Sequence, residues 1–228
     1  MNDTGKKMSV EIWSDVMCPF CYIGKRRFEA ALNQFQFKDD IEVIWKSFQL
    51  NPNMVTNTNV SVTESLAKSK GWTVEYAREM GNYVTNMAAG VGLKFNFDKA
   101  VVANSFNAHR LLQFAKTKGK GDALKELLLK AYFEEGKNTD DIEILTQLGV
   151  AVGLLKDEVF HVLSDKNAFA EAVRNDVQQS KELGINGVPF FYINKKLGIS
   201  GAQETSTFLQ ALNKAHKEWT PSKPTFSL

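Results

Sequence analysis

The sequence predicts an α/β fold: a mixed four-stranded sheet with helices on both faces, interrupted by a large all-helical insertion. Three observations carry this. Near the amino end a period-two segment, a helical stripe and a β-branched run follow one another as a βαβ unit. From about Val60 to Gly184 the signal is almost wholly helical. Two short apolar runs joined by a polar turn then read as a β-hairpin, followed by a last helix. Neither end segment has enough strands to stand alone. Residues 8–56 and 177–219 are therefore expected to build one sheet domain together, with residues 57–176 as the helical insertion domain.

Each element follows from its residues. Ser9 to Asp15 is the first strand, with Val10 and Ile12 on one face and Glu11 and Trp13 on the other. A helix starts at Cys18-Pro19-Phe20-Cys21 and places Phe28, Leu32 and Phe35 on one stripe. Ile41 to Phe48 (IEVIWKSF), β-branched and aromatic, is the second strand, parallel to the first through a right-handed crossover. Leu50-Asn51-Pro52-Asn53 breaks the pattern.

Three helical stripes stand out in the insertion. They are Ala123, Leu124, Leu127, Leu128, Ala131 and Tyr132; then Ile142, Leu145, Leu148 and Val152; then Phe169, Val173, Val177 and Ser180. Gly184 stands where a C′ glycine would stop the third. Gly90 to Phe97 reads as a loop between helices. Phe190–Ile193 and Leu197–Ser200 form the hairpin around Asn194-Lys195-Lys196. Phe208, Leu212, Ala215 and Trp219 mark the last helix, which the tail from Thr220, with Pro221 and Pro224, cannot continue.

Composition narrows the function. The chain has 228 residues, of which 43% are hydrophobic and 24% charged, an ordinary globular balance that excludes disorder. Its apolar runs fall short of the ~18–20 residues of a membrane helix. The 28 basic residues are offset by 26 acidic ones, and no basic stripe exists, so neither nucleic acid nor a membrane is an expected partner. Lys6 and Lys7 are not followed by the apolar stretch of a signal peptide, so a cytoplasmic location is expected. There, a disulfide is usually catalytic or transient. His109, His161 and His216 are scattered, so no metal site is expected.

The chain has two cysteines, three apart between a strand and a helix. This is no disulfide framework; it is the spacing of a redox pair. At a helix start, unpaired N–H groups and the helix dipole favour a thiolate, which predicts a lowered pKa for Cys18. Pro19 suits the first helical position, where a missing N–H costs nothing. Cys21, one turn deeper on the same face, is placed to attack a mixed disulfide formed at Cys18. Cys18 is the expected nucleophile and Cys21 the resolving thiol. Asp15, three residues before Cys18, is a candidate to handle the proton of Cys21. Phe20 is expected to be exposed and to touch substrate.

Strand, C-P-x-C at a helix start, strand, helical insert, then Gly187-Val188-Pro189-Phe190 before a hairpin resembles the thioredoxin-fold DsbA family of thiol–disulfide oxidoreductases. The stretch WSDVMCPFCYIGKRRFEAAL, followed by WKSFQLNP, is similar to its cytoplasmic FrnE-like branch. The resemblance spans nearly the whole chain, including Asn104 and His109-Arg110 in the insert and Ser200-Gly201-Ala202-Gln203 after the hairpin. It implies a thioredoxin-like sheet and a cis Val188–Pro189 bond facing the cysteines. It also implies a cleft, walled by the insert, reached by Asp15, Asn104, His109 and Gln203.

The implied activity is disulfide reduction or isomerisation on protein or peptide disulfides or small thiols. It needs no bound cofactor beyond the redox-active disulfide, with glutathione as reductant or co-substrate. A homodimer is the default oligomer. Phe20 stands where periplasmic DsbA proteins usually carry a histidine, which moves the expected potential toward the glutaredoxin range of about −200 to −230 mV. Two other readings share the architecture. One is a glutathione-dependent transferase or isomerase of the kappa-class or 2-hydroxychromene-2-carboxylate isomerase type, which typically has a serine near the Cys18 position. The other is a non-catalytic binding module.

Overall fold

The alternating segment at the amino end becomes β1 (Met8–Ser14), buried on both faces and therefore central. The computed structural model describes residues 7–219; residues 1–6, with Lys6, and the tail from Thr220 lie outside them. α1 (Pro19–Gln34) follows, then a single 3₁₀ turn and β2 (Ile41–Ser47). β1 and β2 run parallel, Met8 opposite Ile41 and Ser14 opposite Ser47.

The chain then forms β3 (Asn57–Ser61), α2 (Val62–Lys70), α3 (Val74–Ala89) and β4 (Val101–Val102). The helices α4 (Phe106–Thr117), α5 (Gly121–Phe133), α6 (Ile142–Ala151), α7 (Lys156–Ser164) and α8 (Ala170–Glu182) complete the middle of the chain. β5 (Phe190–Ile193), β6 (Leu197–Ser200) and α9 (Thr205–Glu218) close it.

The four-stranded sheet has the order β2-β1-β5-β6, with β5 antiparallel to both neighbours. Its fold class is α/β with a thioredoxin-like mixed sheet. Val10 pairs with Ile193 and Trp13 with Phe190, so the two ends of the chain meet in one sheet. On one face α1 and α9 pack together, Phe28 and Phe191 each meeting Phe208 with ring centroids 5.7 and 4.6 Å apart. On the other, Asp176 of α8 fastens β2. It accepts from Ser47 N at 2.8 Å and Lys46 Nζ at 3.0 Å, while its carbonyl accepts from Trp13 Nε1 at 2.9 Å.

One apolar cluster runs from Val10, Ile12 and Phe191 in the sheet through Leu111 and Leu128 to Val159, so the insertion shares the core of the sheet. A second, smaller one joins Tyr22 and Ile23 of α1 to Val84, Phe95, Leu129 and Phe133. It holds the first turns of α1 against α3 and α5.

Three local readings are corrected. The segment expected to be wholly helical contains a two-stranded sheet, β3 with β4, in which Asn57 pairs with Val102 and Ser61 with Val101. The exposed, polar β3 has no strand pattern of its own; its partner lies some forty residues later, beyond the reach of local periodicity. Phe169 does not belong to the helical stripe. It is the N-cap of α8 in a left-handed conformation (φ 58°), and the buried face is Ala170, Val173, Asp176 and Ser180. Trp219 caps α9 rather than extending it. α8 runs unbroken through residues 176 and 177, stopping before Gly184 at φ +69°.

Candidate active site

Cys18 is the N-cap of α1 in an extended conformation, with Pro19 opening the helix. Its N–H donates to Asp15 O at 3.3 Å, and its own carbonyl accepts from Cys21 N at 3.0 Å. Both cysteines are free thiols and buried, Cys18 3% and Cys21 1% exposed. Cys18 Sγ donates to Val188 O at 3.4 Å. The Val188–Pro189 peptide is cis. Pro189 lies against the first turns of α1: a Cβ added to Gly24 would stand 2.9 Å from Pro189 Cγ. Phe20 is exposed at 38% and Pro19 is half-buried.

The electrostatics differ from the sequence expectation. The hydrogen bond with Cys21 and burial push the Cys18 thiol well above its ordinary value. For Cys21, burial works against the thiolate, but the hydrogen bond from Cys18, the charge of Lys125 and the Ser14 hydroxyl outweigh it and bring the thiol below its ordinary value. Two acceptors, the Val188 carbonyl and the Cys21 sulfur, thus favour the protonated form of Cys18. The helix-terminus argument pointed to Cys18. It left out the carbonyl at one sulfur and the buried cation facing the other.

Asp15 lies under the pair, fully buried, with its carboxylate held in place. Oδ2 accepts from Leu50 N at 2.8 Å, and Oδ1 lies 3.4 Å from Met17 N and 3.2 Å from His109 Nε2. Burial opposes its charge, but the hydrogen bonds from His109 and Leu50 N–H prevail and hold the carboxyl below the usual range. His109 is itself fully buried on α4, with Nδ1 unpartnered among the described residues. It reaches Asp15 from beneath rather than from an open cleft.

Asn104 ties down the loop after β2, donating to Met54 O at 2.7 Å and accepting from Gln49 Nε2 at 3.2 Å. Gln203 stays on the turn after the hairpin, its Nε2 donating to Ser200 O at 2.8 Å. Arg110 binds the carbonyls of Val162, Asp165 and Ala168, steadying the end of α7.

Beside Met17 the insertion and the loop after β2 enclose a cavity of about 350 Å³. Leu50, Met54, Val62, Leu66 and Tyr132 line it, mostly apolar, with Lys70 at its edge. The sequence reading missed Met17, Tyr132 and Lys125 as site residues. A signal for Lys125 existed. Lys125, Leu128, Leu129 and Tyr132 recur at i, i+3, i+4, i+7 and are all buried, so the lysine heads an apolar stripe instead of flanking one. No cluster of metal-ligating side chains occurs among the described residues, and no described helix is long and apolar enough to cross a membrane.

The chain has clear relatives. The uncharacterized protein YwbO of Bacillus subtilis (strain 168) is 29% identical over 217 residues, spanning 92% of this chain and 98% of its own. The probable DsbA oxidoreductase SCO1869 of Streptomyces coelicolor has a similar structure, with a TM-score of 0.88 at 38% identity over 95% of this chain and 93% of that one. The cytosolic disulfide reductase DsbM of Pseudomonas aeruginosa, also solved with GSH, shares the fold at a TM-score of 0.65 and 16% identity, covering 92% of this chain and 100% of that one. The DSBA-like thioredoxin domain family matches residues 9–213. With its mixed sheet and its cysteine pair at the head of α1, this chain belongs to the DsbA-like thioredoxin domain family.

Proposed function

We propose that the protein is a thiol–disulfide oxidoreductase that reduces or reshuffles protein and peptide disulfides in a reducing cytosol. The observation that carries this is the pair of free cysteines at the start of α1, with Cys18 Sγ against the Val188 carbonyl. Cys18 passes its proton to Cys21 and attacks R–S–S–R′, forming Cys18–S–S–R and releasing R′S⁻. Cys21 then gives up that proton to R′S⁻, which leaves as R′SH, and attacks the Cys18 sulfur, forming the Cys18–Cys21 disulfide and releasing RS⁻. The Val188 carbonyl, beside Pro189, is the edge against which an extended peptide would lie. Phe20 and the cavity beside Met17 supply apolar contact for its side chains. Asp15, with His109 behind it, acts on the pair electrostatically, and Asn104 shapes the cavity wall.

Glutathione is the proposed reductant. A relative of this fold, DsbM, is named a cytosolic disulfide reductase and has been solved with GSH. No bound cofactor takes part.

Reduction of insulin by dithiothreitol tests the reading. The protein should accelerate it, Cys18→Ser should abolish the acceleration, and Cys21→Ser should accumulate a mixed disulfide at Cys18. Acceleration that survives Cys18→Ser overturns the reading. Glutathione conjugation that survives the same substitution would establish the transferase or isomerase alternative, and inertness in both assays a binding module.

A further inference from the structure

Lys125 is fully buried, and its Nζ has no hydrogen-bond partner among the described residues. A buried ammonium in that state needs compensating charge. Its surroundings supply it from three sides. Trp45 of β2 presents its ring 5.5 Å from Nζ. Asp15, just after β1, and Cys21 at the head of α1 act on it as negative groups. Lys25 of α1 is the opposing positive charge, and it is itself engaged by Glu29, Glu126 and Asp122.

The position is not adjustable. Glu126, the next residue on α5, is bound by Arg26, Lys25 and Tyr22 of α1, which locks the two helices side by side. Of the other ionisable groups near Asp15, His109 is directed at the carboxylate, and Tyr132 of α5 is a buried phenol that burial and Asp15 hold in its neutral form.

We propose that Lys125 is the positioning charge of the redox pair, the buried counter-ion of Cys21 in the reduced protein, which disulfide formation leaves without that partner. This rests on the redox reading above. Burial already brings the ammonium down to about 8. Disulfide formation removes the Cys21 thiolate that favours it and leaves Asp15 as the negative group beside it, so its pKa falls further on oxidation.

The step balances. Cys18–SH and Cys21–S⁻ together lose two electrons and form one S–S bond, and the substrate disulfide accepts the two electrons as its S–S bond breaks. The two product thiolates take up two protons, one from Cys18 and one from Lys125. A buried site that must move charge without water thus carries its own counter-ion on an element of the insertion.

Thiolate absorbance of the reduced full-length chain, followed through a pH titration, tests this in the wild type, Lys125→Met and Lys125→Arg. Methionine keeps the stem and removes the charge. The first thiolate midpoint should rise by about one pH unit or more, a tenfold loss of thiolate below the midpoint. Arginine should restore most of it, which a purely structural role would not do. An unchanged midpoint in folded Lys125→Met overturns the proposal.

If the methionine variant does not fold, NMR of the Lys125 side chain in the wild type decides. Its titration should move to lower pH on going from dithiol to disulfide, and an identical midpoint in both forms overturns the proposal. A wild type that forms no Cys18–Cys21 disulfide in a glutathione redox buffer would instead overturn the redox reading itself. A disulfide that forms with the thiolate indifferent to Lys125 removes the lysine's role alone.

Discussion

At Asp15 one carboxylate orders three parts of the chain. It accepts the amide of Leu50, lies against the amide of Met17 and meets His109 of the insertion, all without solvent. Asparagine keeps the shape but offers one acceptor oxygen instead of two and turns a donor toward another donor. Asp15→Asn is expected to cost about 1–3 kcal/mol in urea unfolding at neutral pH. The pH dependence has a definite sign. The folded pKa lies below the ordinary value, so ionisation favours the folded state. That contribution is complete above about pH 5 and is lost as the pH falls through the ordinary carboxylate value toward the lowered folded one. The stability gap between wild type and Asp15→Asn should therefore narrow in acid. A constant gap would mean that the charge of Asp15 does not matter to folding.

Among the elements, α1 carries the chemistry, and its fit against the Val188–Pro189 loop sets the geometry at Cys18. Gly24 makes that fit possible. A Cβ there would lie 2.9 Å from Pro189 Cγ and 3.4 Å from the Ala202 backbone. In an isolated helix Gly→Ala is favourable by about 1 kcal/mol. Overpacking against a proline ring and backbone costs about 1–3 kcal/mol. Packing is expected to win, so Gly24→Ala should lower the unfolding midpoint and slow alkylation of Cys18. A stabilised variant would show that the loop yields freely and that α1 is not registered by it.

For the whole molecule, the insertion does more than decorate the sheet. It shares one apolar core with it, supplies His109 and Lys125 beneath the cysteines, and walls the cavity beside Met17 with α2. On the proposed function, the cysteines and the cavity wall come from different elements and can be tested separately. Ser65 of α2, half-buried, lines the cavity together with Met17 and Tyr132. Ser65→Trp should fill the space and lower kcat/KM for a peptide disulfide about tenfold. It should leave the dithiol potential and the reaction with a small disulfide unchanged. An equal loss with both substrates would place the cavity outside the recognition surface.

The four strands of the main sheet, the hairpin, the stopping glycine Gly184 and the cysteine pair at the head of α1 could all be read from the residues, because each leaves a local mark. These marks are a period of two or 3.6, a turn, or a proline at the first helical position. What periodicity reports is that a face is buried; it does not say what lies opposite. Tertiary structure alone paired the polar strand Asn57–Ser61 with Val101–Val102, set the Trp13 indole on a carbonyl 163 residues away, and carried Lys125 under Cys21. It also set the Val188 carbonyl against the Cys18 thiol and brought the charge of Lys125 to bear on Cys21. A helix terminus acts within one turn and is legible in sequence. The carbonyl of Val188 and the ammonium of Lys125 act through space, from residues more than a hundred positions away.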